Sequence, residues 1–377
     1  MIVILAATIA VLALVVPATA RAGISTCIPE CDSNGSLDAD DADVLAEAVF
    51  NDGAGCMDPD FNDDGAVAAA DLASLVATLG TAPWIPLPPI AGGKRQEHAV
   101  AALDGKIYVV GGFITPPGTS VPVITDAVEA YDVANRVWET VAPLPLEIHH
   151  VAVVPSGGKL YSIGGLQTIG FTPIDTLYEY DPVEDEWTRR ANLPARRGAM
   201  AAGEIDGRLY AVGGLITSSM STTRNEVYDP ATDEWTELAP LPSPRNHLAA
   251  GVIDGMLYAV GGRTGSNTAE LDRYDLEADE WEVLPPMPTA RGGLVAAVVE
   301  ERLVVAGGEF FTGGTGVHPQ VEIYDPATNG WTSLSPMAVP RHGMGAATIG
   351  DLMYVPGGGI RAQFAATEYF DALCVVP

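Results

Sequence analysis

From about residue 83 onward, the chain alternates short apolar runs with clusters of turn-forming residues. The segments LYAVGG (209–214), NEVYD (225–229) and DEWTEL (233–238) are short, as strands are, and residues such as Pro-Ala-Thr-Asp separate them. Apolar runs such as NHLAAGVI (246–253) supply a further, inner strand to each unit. The pattern therefore predicts a series of small four-stranded sheets rather than helices.

The same landmarks recur along this part of the chain. Gly-Gly pairs stand 46 to 53 residues apart, and the Tyr found three residues before each pair is replaced only by Val304. A Tyr-Asp pair follows, with a Trp seven positions after that Tyr in five units. The sixth unit has Phe370-Asp371 instead and no later Trp. The Gly-Gly pairs occupy residues 111–112, 164–165, 213–214, 261–262, 307–308 and 357–358.

In order and spacing, these landmarks resemble kelch repeats, the units of β-propellers. The resemblance covers residues 83–377 and implies an all-β, six-bladed propeller with four-stranded blades. A single twisted sheet leaves two apolar faces, and radial packing against neighbouring sheets buries both. We interpret the Gly pairs as structural, because no helical pattern follows them to complete a phosphate-binding loop.

The position of one tryptophan predicts how the ring closes. Five of the six tryptophans follow the Tyr-Asp landmarks, whereas Trp84 precedes the first Gly-Gly pair and the last unit lacks a Trp of its own. We therefore expect a strand around Trp84–Leu87 to pair with residues 366–371 and to complete the sixth blade.

Residues 1–22 have the composition of an export signal. Apolar residues run from Ile2 to Val16, and small residues between Ala18 and Ala22 provide cleavage sites. This run is short for a membrane span, which needs about 20 residues. No Lys or Arg precedes it, so an uncleaved anchor is the alternative. We expect a secreted or extracytoplasmic protein, in the periplasm or at the cell surface, with no membrane span after removal of the leader.

Residues 23–82 are acidic, and two segments in them, ECDSNGSLDADD (30–41) and DFNDDGAVAAAD (60–71), have the spacing of calcium loops. Alternate residues of such a loop point oxygens inward, and a Gly at the sixth position permits the sharp bend. An apolar stripe with helical spacing follows each loop. The candidate calcium ligands are Asp60, Asn62, Asp64, Ala66 (through its carbonyl) and Asp71 in the second loop, and Glu30, Asp32, Asn34, Ser36 and Asp41 in the first.

Two loop–helix units in tandem resemble a dockerin module, a small α-helical domain. This resemblance implies calcium as a cofactor and a cohesin-like or cell-envelope partner. The family's partner-choice positions are Ala39-Asp40 and Ala69-Ala70 here, without the usual hydroxyl pair. An empty acidic loop is the alternative reading of the segment.

The net charge indicates which partners the protein can bind, and the cysteine content indicates which disulfides an exported chain could form. The chain carries 19 Lys or Arg against 49 Asp or Glu, a net charge of -30, and such a surface repels nucleic acid. Its four cysteines allow three pairings in an exported chain. We favour Cys56 with Cys27 or Cys31, which leaves Cys374 to tie the end of the chain to its beginning.

A basic residue precedes the innermost strand of each unit, and we expect these side chains near one end of the central channel. A ring of arginines there would bind carboxylates of a ligand. The alternative is structural: recurrence in almost every blade favours pairing with acids of neighbouring blades or with backbone carbonyls. The six residues are Arg95, His149, Arg196, Arg245, Arg291 and Arg341.

Positions that differ between the units are better indicators of function. In kelch proteins, the residue two past each basic landmark and the residue after each Gly pair line the mouth of the propeller, which implies binding there. Phe310, Phe311 and His318 lie on a long loop and are expected to be exposed contact residues. The ligand-binding candidates at the mouth are Glu97, His150, His247, Arg263 and Glu309.

The sequence contains no hydrolase, zinc-protease, Walker or dinucleotide motif. We therefore expect a non-catalytic binding protein that presents a propeller face to a protein or carbohydrate partner. An extracytoplasmic sugar epimerase or mutarotase is the alternative, with Glu, His and Arg at the channel mouth as acid, base and anion clamp. Scaffolding at the cell envelope through the N-terminal module is compatible with both.

Overall fold

The computed structural model describes residues 84–375, apart from residues 117, 120 and 312–314. One compact unit contains residues 84–349 and 353–372, and a second contains residues 1–83, 350–352 and 373–377. The described part is all-β, and within it no helix is available to cross a membrane. The predicted leader and the predicted calcium-binding module lie outside the described residues.

Six four-stranded sheets, numbered I to VI along the chain, make up most of the described part. In sheets I to V, neighbouring strands are antiparallel because each connection returns the chain beside the strand it has just left, as in sheet I. Sheet I contains Ala99–Leu103, Lys106–Val110, Val128–Asp132 and Val137–Val141; sheet II contains Ala152–Ser156, Lys159–Ile163, Leu177–Asp181 and Glu186–Arg190; sheet III contains Ala201–Ile205, Arg208–Val212, Asn225–Asp229 and Glu234–Glu237.

The later sheets repeat this arrangement, with a composite sixth sheet. The other named strands have two residues each and pair in short ribbons beside the sheets. Sheet IV contains Ala249–Ile253, Met256–Val260, Leu271–Asp275 and Glu280–Leu284; sheet V contains Val295–Val299, Arg302–Ala306, Val321–Asp325 and Gly330–Leu334; sheet VI contains Ala347–Ile349, Leu352–Pro356, Phe370–Cys374 and Trp84–Pro86. The ribbon strands are Arg95–Gln96, Phe113–Ile114, Val123–Ile124, Leu166–Gln167, Thr172–Pro173, Arg263–Thr264, Ser266–Asn267, Glu309–Phe310 and Gly316–Val317.

Sheet VI joins the two ends of the described segment. The strand predicted around Trp84–Leu87 is Trp84–Pro86 in the structure. Its partner is the strand Phe370–Cys374, which begins four residues after the start of the predicted partner segment 366–371. Cys374 is disulfide-bonded. The predicted choice of its partner concerns cysteines outside the described residues.

The first strand of each sheet contacts the first strands of two other sheets. These contacts run in cyclic order from sheet I to sheet VI and back to sheet I. The apolar cores lie between neighbouring sheets. For example, Tyr108 and Val110 of sheet I pack in one cluster with Leu160 and Tyr180 of sheet II. Radial packing therefore buries both faces of a sheet, as the alternating sequence pattern requires.

The recurring Tyr and Trp join each sheet to the one before it. In sheet III, the rings of Tyr228 and Trp235 lie 5.2 Å apart, and the Trp235 indole N–H donates to the Ala191 carbonyl at 2.9 Å. The Asp233 carboxylate accepts from the Tyr228 hydroxyl and from the Ala191 N–H. An indole–carbonyl bond to the preceding unit recurs for Trp84, Trp138, Trp187, Trp281 and Trp331.

The last strand has a different register from the one its sequence predicted. Asp371 occupies the position that Glu129 has in sheet I, since each pairs with the arginine of its own sheet. Leu373 then stands where the landmark Tyr stands elsewhere. The prediction that Phe370-Asp371 replaces Tyr-Asp is therefore wrong by three residues, because the nearest aromatic-Asp pair lies at the other end of this strand.

Candidate functional site

Six residues, one preceding the first strand of each sheet, form a closed ring of backbone hydrogen bonds. Each N–H donates to the carbonyl of the equivalent residue before the preceding sheet, at 2.5–2.9 Å. Because the ring uses these backbone groups, only the side chains distinguish its positions. The hydrogen-bonded ring consists of Glu97, His150, Ala199, His247, Gly293 and Gly343.

All six ring residues have a left-handed backbone, with φ between 50° and 65°. That conformation costs a residue with a side chain about 1 kcal/mol or more, so glycine is the least strained choice. A Cβ at Gly343 would also meet the carboxylate of Glu97, so a side chain there would displace that group. Glu97, His150 and His247 keep their side chains in spite of this strain.

The sequence register was wrong at one ring position. The prediction placed the basic landmark of sheet III at Arg196 and the ring residue at Gly198. In the structure, Arg197 is the buried arginine and Ala199 is the ring residue. Arg196 is exposed and forms only a 3.4 Å contact with Asp175. The adjacent arginines caused the error, and the 16-residue spacing to the Gly-Gly pair identifies the second one.

Glu97 lies at the centre of a group of charged side chains beside the ring. Its Oε2 is 3.0 Å from His150 Nε2, and its Oε1 is 3.6 Å from His342 Nε2. Burial alone would raise the pKa of Glu97, but His150 and then His342 hold that pKa well below its ordinary value. Glu97 is therefore an ionised carboxylate balanced by imidazoles.

Glu309 brings a second carboxylate to the same group. Its Oε1 is 2.7 Å from Arg263 Nη1, and its Oε2 is 3.3 Å from His342 Nε2. Arg263 and Glu309 arrive there because the residue after a Gly pair forms a β-bridge with the residue before a ring residue, as Arg263 does with Asn246. We call the following six residues the charged cluster: Glu97, His150, His247, Arg263, Glu309 and His342.

His247 has different surroundings from His150, although their ring centroids lie only 4.8 Å apart. His247 Nδ1 is hydrogen-bonded to Asn246 Oδ1, and within the described part of the chain its Nε2 has no hydrogen-bond partner. Burial, and then the charges of Arg263 and His150, lower the pKa of His247 well below its usual value. This imidazole is therefore neutral, with one nitrogen available to a ligand.

The sequence patterns assigned no supporting role to three residues beside the ring. His149, Asn246 and His342 each immediately precede a ring residue and are almost fully buried. His149 was assigned to the arginine position, but Ile148 occupies that position in sheet II, 16 residues before the Gly-Gly pair. The same spacing would have identified all three supporting residues.

The buried arginines are engaged inside their own sheets. Arg291, for example, lies 2.6 Å from Glu322 and donates to the carbonyls of Gly307 and Gln320 at 3.2 and 2.7 Å. The acid comes from the third strand of the same sheet, not from a neighbouring blade. The five pairs, whose arginines are 0–1% exposed, are Arg95–Glu129, Arg197–Glu226, Arg245–Asp272, Arg291–Glu322 and Arg341–Asp371.

The residues that follow the Gly pairs are apolar in three sheets. The residue after the Gly pair is buried Phe113, Leu166 and Leu215 in sheets I to III, where sheets IV and V have charged residues. Phe171 lies against the His150 ring at 5.2 Å. Apolar side chains from sheets I to III therefore adjoin the charged cluster at His150.

The long loop of sheet V differs in part from its prediction. Phe311 is 45% exposed, and the Arg263 guanidinium lies over its ring at 5.4 Å. Phe310 and His318 are only partly exposed and stack on each other at 4.9 Å. Of the three residues, Phe311 alone is exposed.

A cavity of ≈ 90 Å³ is lined by the ring residues and the residue after each of them. It has the volume of about three water molecules, whereas pockets that enclose a whole small molecule have roughly 300–1,000 Å³. The cavity therefore suits an end group of a ligand. A groove of ≈ 790 Å³ at the turns of sheets I to III contains none of the candidate residues.

Within the described residues, no group of three or more His, Cys, Asp or Glu side chains is arranged to hold a metal ion. The predicted calcium ligands all fall between residues 30 and 71, which the structure does not describe.

Comparison with known proteins shows similarity along most of the described part. A protein-family model described as the KLHDC2/KLHL20/DRC7 Kelch-repeats domain matches residues 97–308 and 199–375. A solved structure titled "Structure of YjhT" superposes with a TM-score of 0.66 at 15% identity, covering 76% of this chain and 96% of that one. At this identity the superposition shows a shared fold alone.

Similarity to curated proteins is confined to shorter segments. The chain is 34% identical over 93 residues to Kelch-like protein terF of Aspergillus terreus, covering 24% of this chain and 20% of terF. It is 34% identical over 86 residues to the N-acetylneuraminate epimerase of Pasteurella multocida, covering 22% of each. With Kelch-like protein 35 of Mus musculus it shares 37% over 82 residues, covering 22% of this chain and 13% of that protein. The matches thus span about a fifth or less of these relatives.

Proposed function

The chain belongs to the kelch-repeat family, and on that premise we propose that its six sheets form a six-bladed propeller that binds a hydroxyl-bearing, carbohydrate-type ligand. The ligand inserts an end group at the mouth where Glu97, His150 and His247 meet. The main role is binding, as expected for a repeat fold whose recurring residues are structural.

One observation carries this proposal: three of the six equivalent ring positions hold Ala199, Gly293 and Gly343, whereas the others hold Glu97 and two histidines. The fold thus accepts small residues at these positions, and at two of them glycine relieves the strain of the left-handed backbone. Since ring closure does not require the three polar side chains, we assign them to ligand recognition.

The chemistry of the site supports a hydroxyl group as the ligand's end group. The neutral His247 offers a lone pair at Nε2 and so accepts a hydrogen bond. The ≈ 90 Å³ cavity has room for such a group. Phe171 beside His150 provides an apolar surface for the carbon face of a sugar.

The test is calorimetry of the full chain with a panel of monosaccharides that includes N-acetylneuraminate and neutral hexoses. We expect binding of at least one sugar, weakened at least tenfold by His247→Ala. Asp206→Asn, in the groove of sheets I to III, is the matched control and leaves the affinity unchanged. Binding that is indifferent to His247→Ala, or no binding across the panel, contradicts the proposal.

A second candidate function is catalysis at the anomeric centre of a sugar, as an epimerase or mutarotase. It is supported by the acid and base groups that converge in the charged cluster and by the relative named N-acetylneuraminate epimerase. NMR of anomer exchange in N-acetylneuraminate tests it. Catalysed exchange that Glu97→Gln and Glu309→Gln abolish would establish this candidate, and exchange at the uncatalysed rate excludes it for that sugar.

For the N-terminal region, we propose export of the chain and calcium binding by residues 23–82, with a cell-envelope or cohesin-like partner. The spacing of oxygen ligands in DFNDDGAVAAAD supports the calcium site. Calorimetric titration of the full chain with calcium tests it. We expect heat from calcium binding that is reduced in Asp60→Ala and unchanged in the propeller variant Asp206→Asn; no heat in the unmutated protein contradicts it.

A further inference from the structure

We propose that His150 and His247 hold different protonation states at neutral pH, and that their neighbours His149 and Asn246 impose the difference. His150 is a cation that donates to Glu97. His247 is a neutral imidazole with its proton on Nδ1 and a lone pair on Nε2. The role of this difference in ligand binding rests on the proposed function, whereas the protonation states themselves are tested without a ligand.

The proton on His247 follows from the orientation of one amide. Asn246 Nδ2 donates to Ser221 Oγ at 2.7 Å and to the Arg263 carbonyl at 3.0 Å, so Asn246 Oδ1 is the atom that faces His247 Nδ1. An amide oxygen only accepts, and therefore Nδ1 carries the hydrogen. In a neutral ring this leaves Nε2 as the acceptor.

The second proton on His150 follows from a chain of three bonds. His149 Nε2 lies 3.0 Å from the carbonyl of Thr168 and must donate to it. Burial, followed by the charge of His150, lowers the pKa of His149 to about 3, so its Nδ1 is an acceptor. That Nδ1 lies 2.5 Å from His150 Nδ1, which donates.

The other nitrogen of His150 then determines the charge. His150 Nε2 is 3.0 Å from Glu97 Oε2. With Glu97 Oε2 as the acceptor in this contact, His150 carries a hydrogen on both nitrogens and is cationic. His149 and Asn246 are thus positioning residues: both present Nδ1 with an acceptor, and only His150 has a carboxylate at Nε2.

The surrounding charges maintain this difference. Burial, and then the charges of Arg263, His150 and His342, disfavour a second proton on His247, and Glu97 only partly opposes them. Glu309 is held by Arg263 and His342. Two imidazoles 4.8 Å apart therefore provide one donor already engaged with Glu97 and one free acceptor, which is the asymmetry that orients a ligand hydroxyl toward His247.

The test is long-range ¹H–¹⁵N NMR of the full chain labelled with ¹⁵N-histidine, which has six histidines. His150→Gln and His247→Gln assign the two signals. At pH 7 we expect the cationic pattern for His150 and the neutral pattern with a hydrogen on Nδ1 for His247. The same state in both residues, or a hydrogen on Nε2 of a neutral His247, overturns the proposal without reference to sugar binding.

Variants of the positioning residue sharpen the test. Asn246→Asp places a carboxylate at His247 Nδ1 and is expected to raise the pKa of His247 by at least one unit, with His150 unchanged. The control is Gln96→Ala, which removes the residue at the same position before the ring residue of sheet I and should move neither signal. If Asn246→Asp leaves His247 unchanged, the positioning role is wrong. If that variant does not fold, the spectrum of the unmutated protein decides.

Discussion

Sheet II lacks the buried ion pair that the other five sheets share. Five sheets bury an arginine against an acid, as Arg291 and Glu322 do in sheet V at 2.6 Å. Sheet II has Ile148 and Tyr178 at these two positions, both buried. Both members of the ion pair are replaced together, so no uncompensated charge remains. The comparison indicates that the pair is a packing unit that an apolar pair can replace, and that ligand recognition belongs to other positions.

Removing only one charge of a buried pair is expected to have the largest effect on the free energy of unfolding. We expect Arg291→Met to lower the free energy of unfolding by about 3–5 kcal/mol, because the Glu322 carboxylate would stay buried without its partner. Chemical denaturation measures it. The exposed Arg196→Met is the matched control, with an expected loss within about 0.5 kcal/mol. A loss of that small size for Arg291→Met would show that the pair contributes little.

Copying sheet II into sheet V tests whether the two arrangements are equivalent. In Arg291→Ile/Glu322→Tyr, we expect recovery of more than half of the stability that Arg291→Met loses, since neither charge remains buried. The single variants Arg291→Ile and Glu322→Tyr complete a double-mutant cycle, in which each free energy of unfolding is measured by chemical denaturation. A double variant less stable than Arg291→Met would mean that sheet II depends on compensating residues elsewhere.

A third prediction concerns His98, another position at which one sheet differs from the rest. The equivalent residues in the other sheets are apolar: Val151, Met200, Leu248, Leu294 and Met344. Burial, followed by the charge of Arg95, lowers the pKa of His98 to about 3. As the pH falls below about 6.5, the unfolded chain takes up a proton that the native protein excludes until about 3. His98 thus makes stability decrease by about 1.4 kcal/mol per pH unit in this window.

The measurement is urea unfolding at pH 7 and pH 5 of the unmutated protein and of His98→Leu. We expect the variant to lose less stability between the two pH values, by at least about 1 kcal/mol. His149 and His247 contribute equally to both proteins and so cancel. An identical loss in both would mean that His98 is protonated in the native state.

The smallest expected effect concerns the composite sheet VI. The indole N–H of Trp84 is 3.4 Å from its carbonyl acceptor, whereas that of Trp235 is 2.9 Å from the equivalent one. Replacement by Phe removes the hydrogen bond in each case, worth about 0.5–1.5 kcal/mol. We expect Trp235→Phe to be the more destabilising, by about 0.5 kcal/mol in thermal or chemical unfolding. The reverse order would show that the Trp84 indole contributes more to stability than the Trp235 indole does.

The strands and the family could be predicted from the sequence because alternating apolar residues and repeated landmarks are local signals. Trp84 likewise indicated which strand was missing from the last unit. Register failed where a local choice was ambiguous, as with Arg196 beside Arg197. At the arginine positions, including the one at which His149 was placed, the spacing of 16 residues to the Gly-Gly pair resolves the ambiguity.

The candidate site was only partly predictable. Glu97, His150, His247, Arg263 and Glu309 could be selected because they vary at equivalent positions, and the structure brings them together. The pairing of His342 with both Glu97 and Glu309 joins residues separated by up to 245 positions. Such contacts depend on the packing of different sheets, and no local pattern in the sequence reports them.

The closed ring of backbone hydrogen bonds has a consequence for how such a protein diversifies. Its integrity depends on main-chain atoms common to every amino acid, so a point substitution at one of its six positions alters what the opening recognises while the scaffold persists. Descendants of one ancestral propeller could thus acquire new specificities by single exchanges, provided that each newcomer tolerates the left-handed backbone.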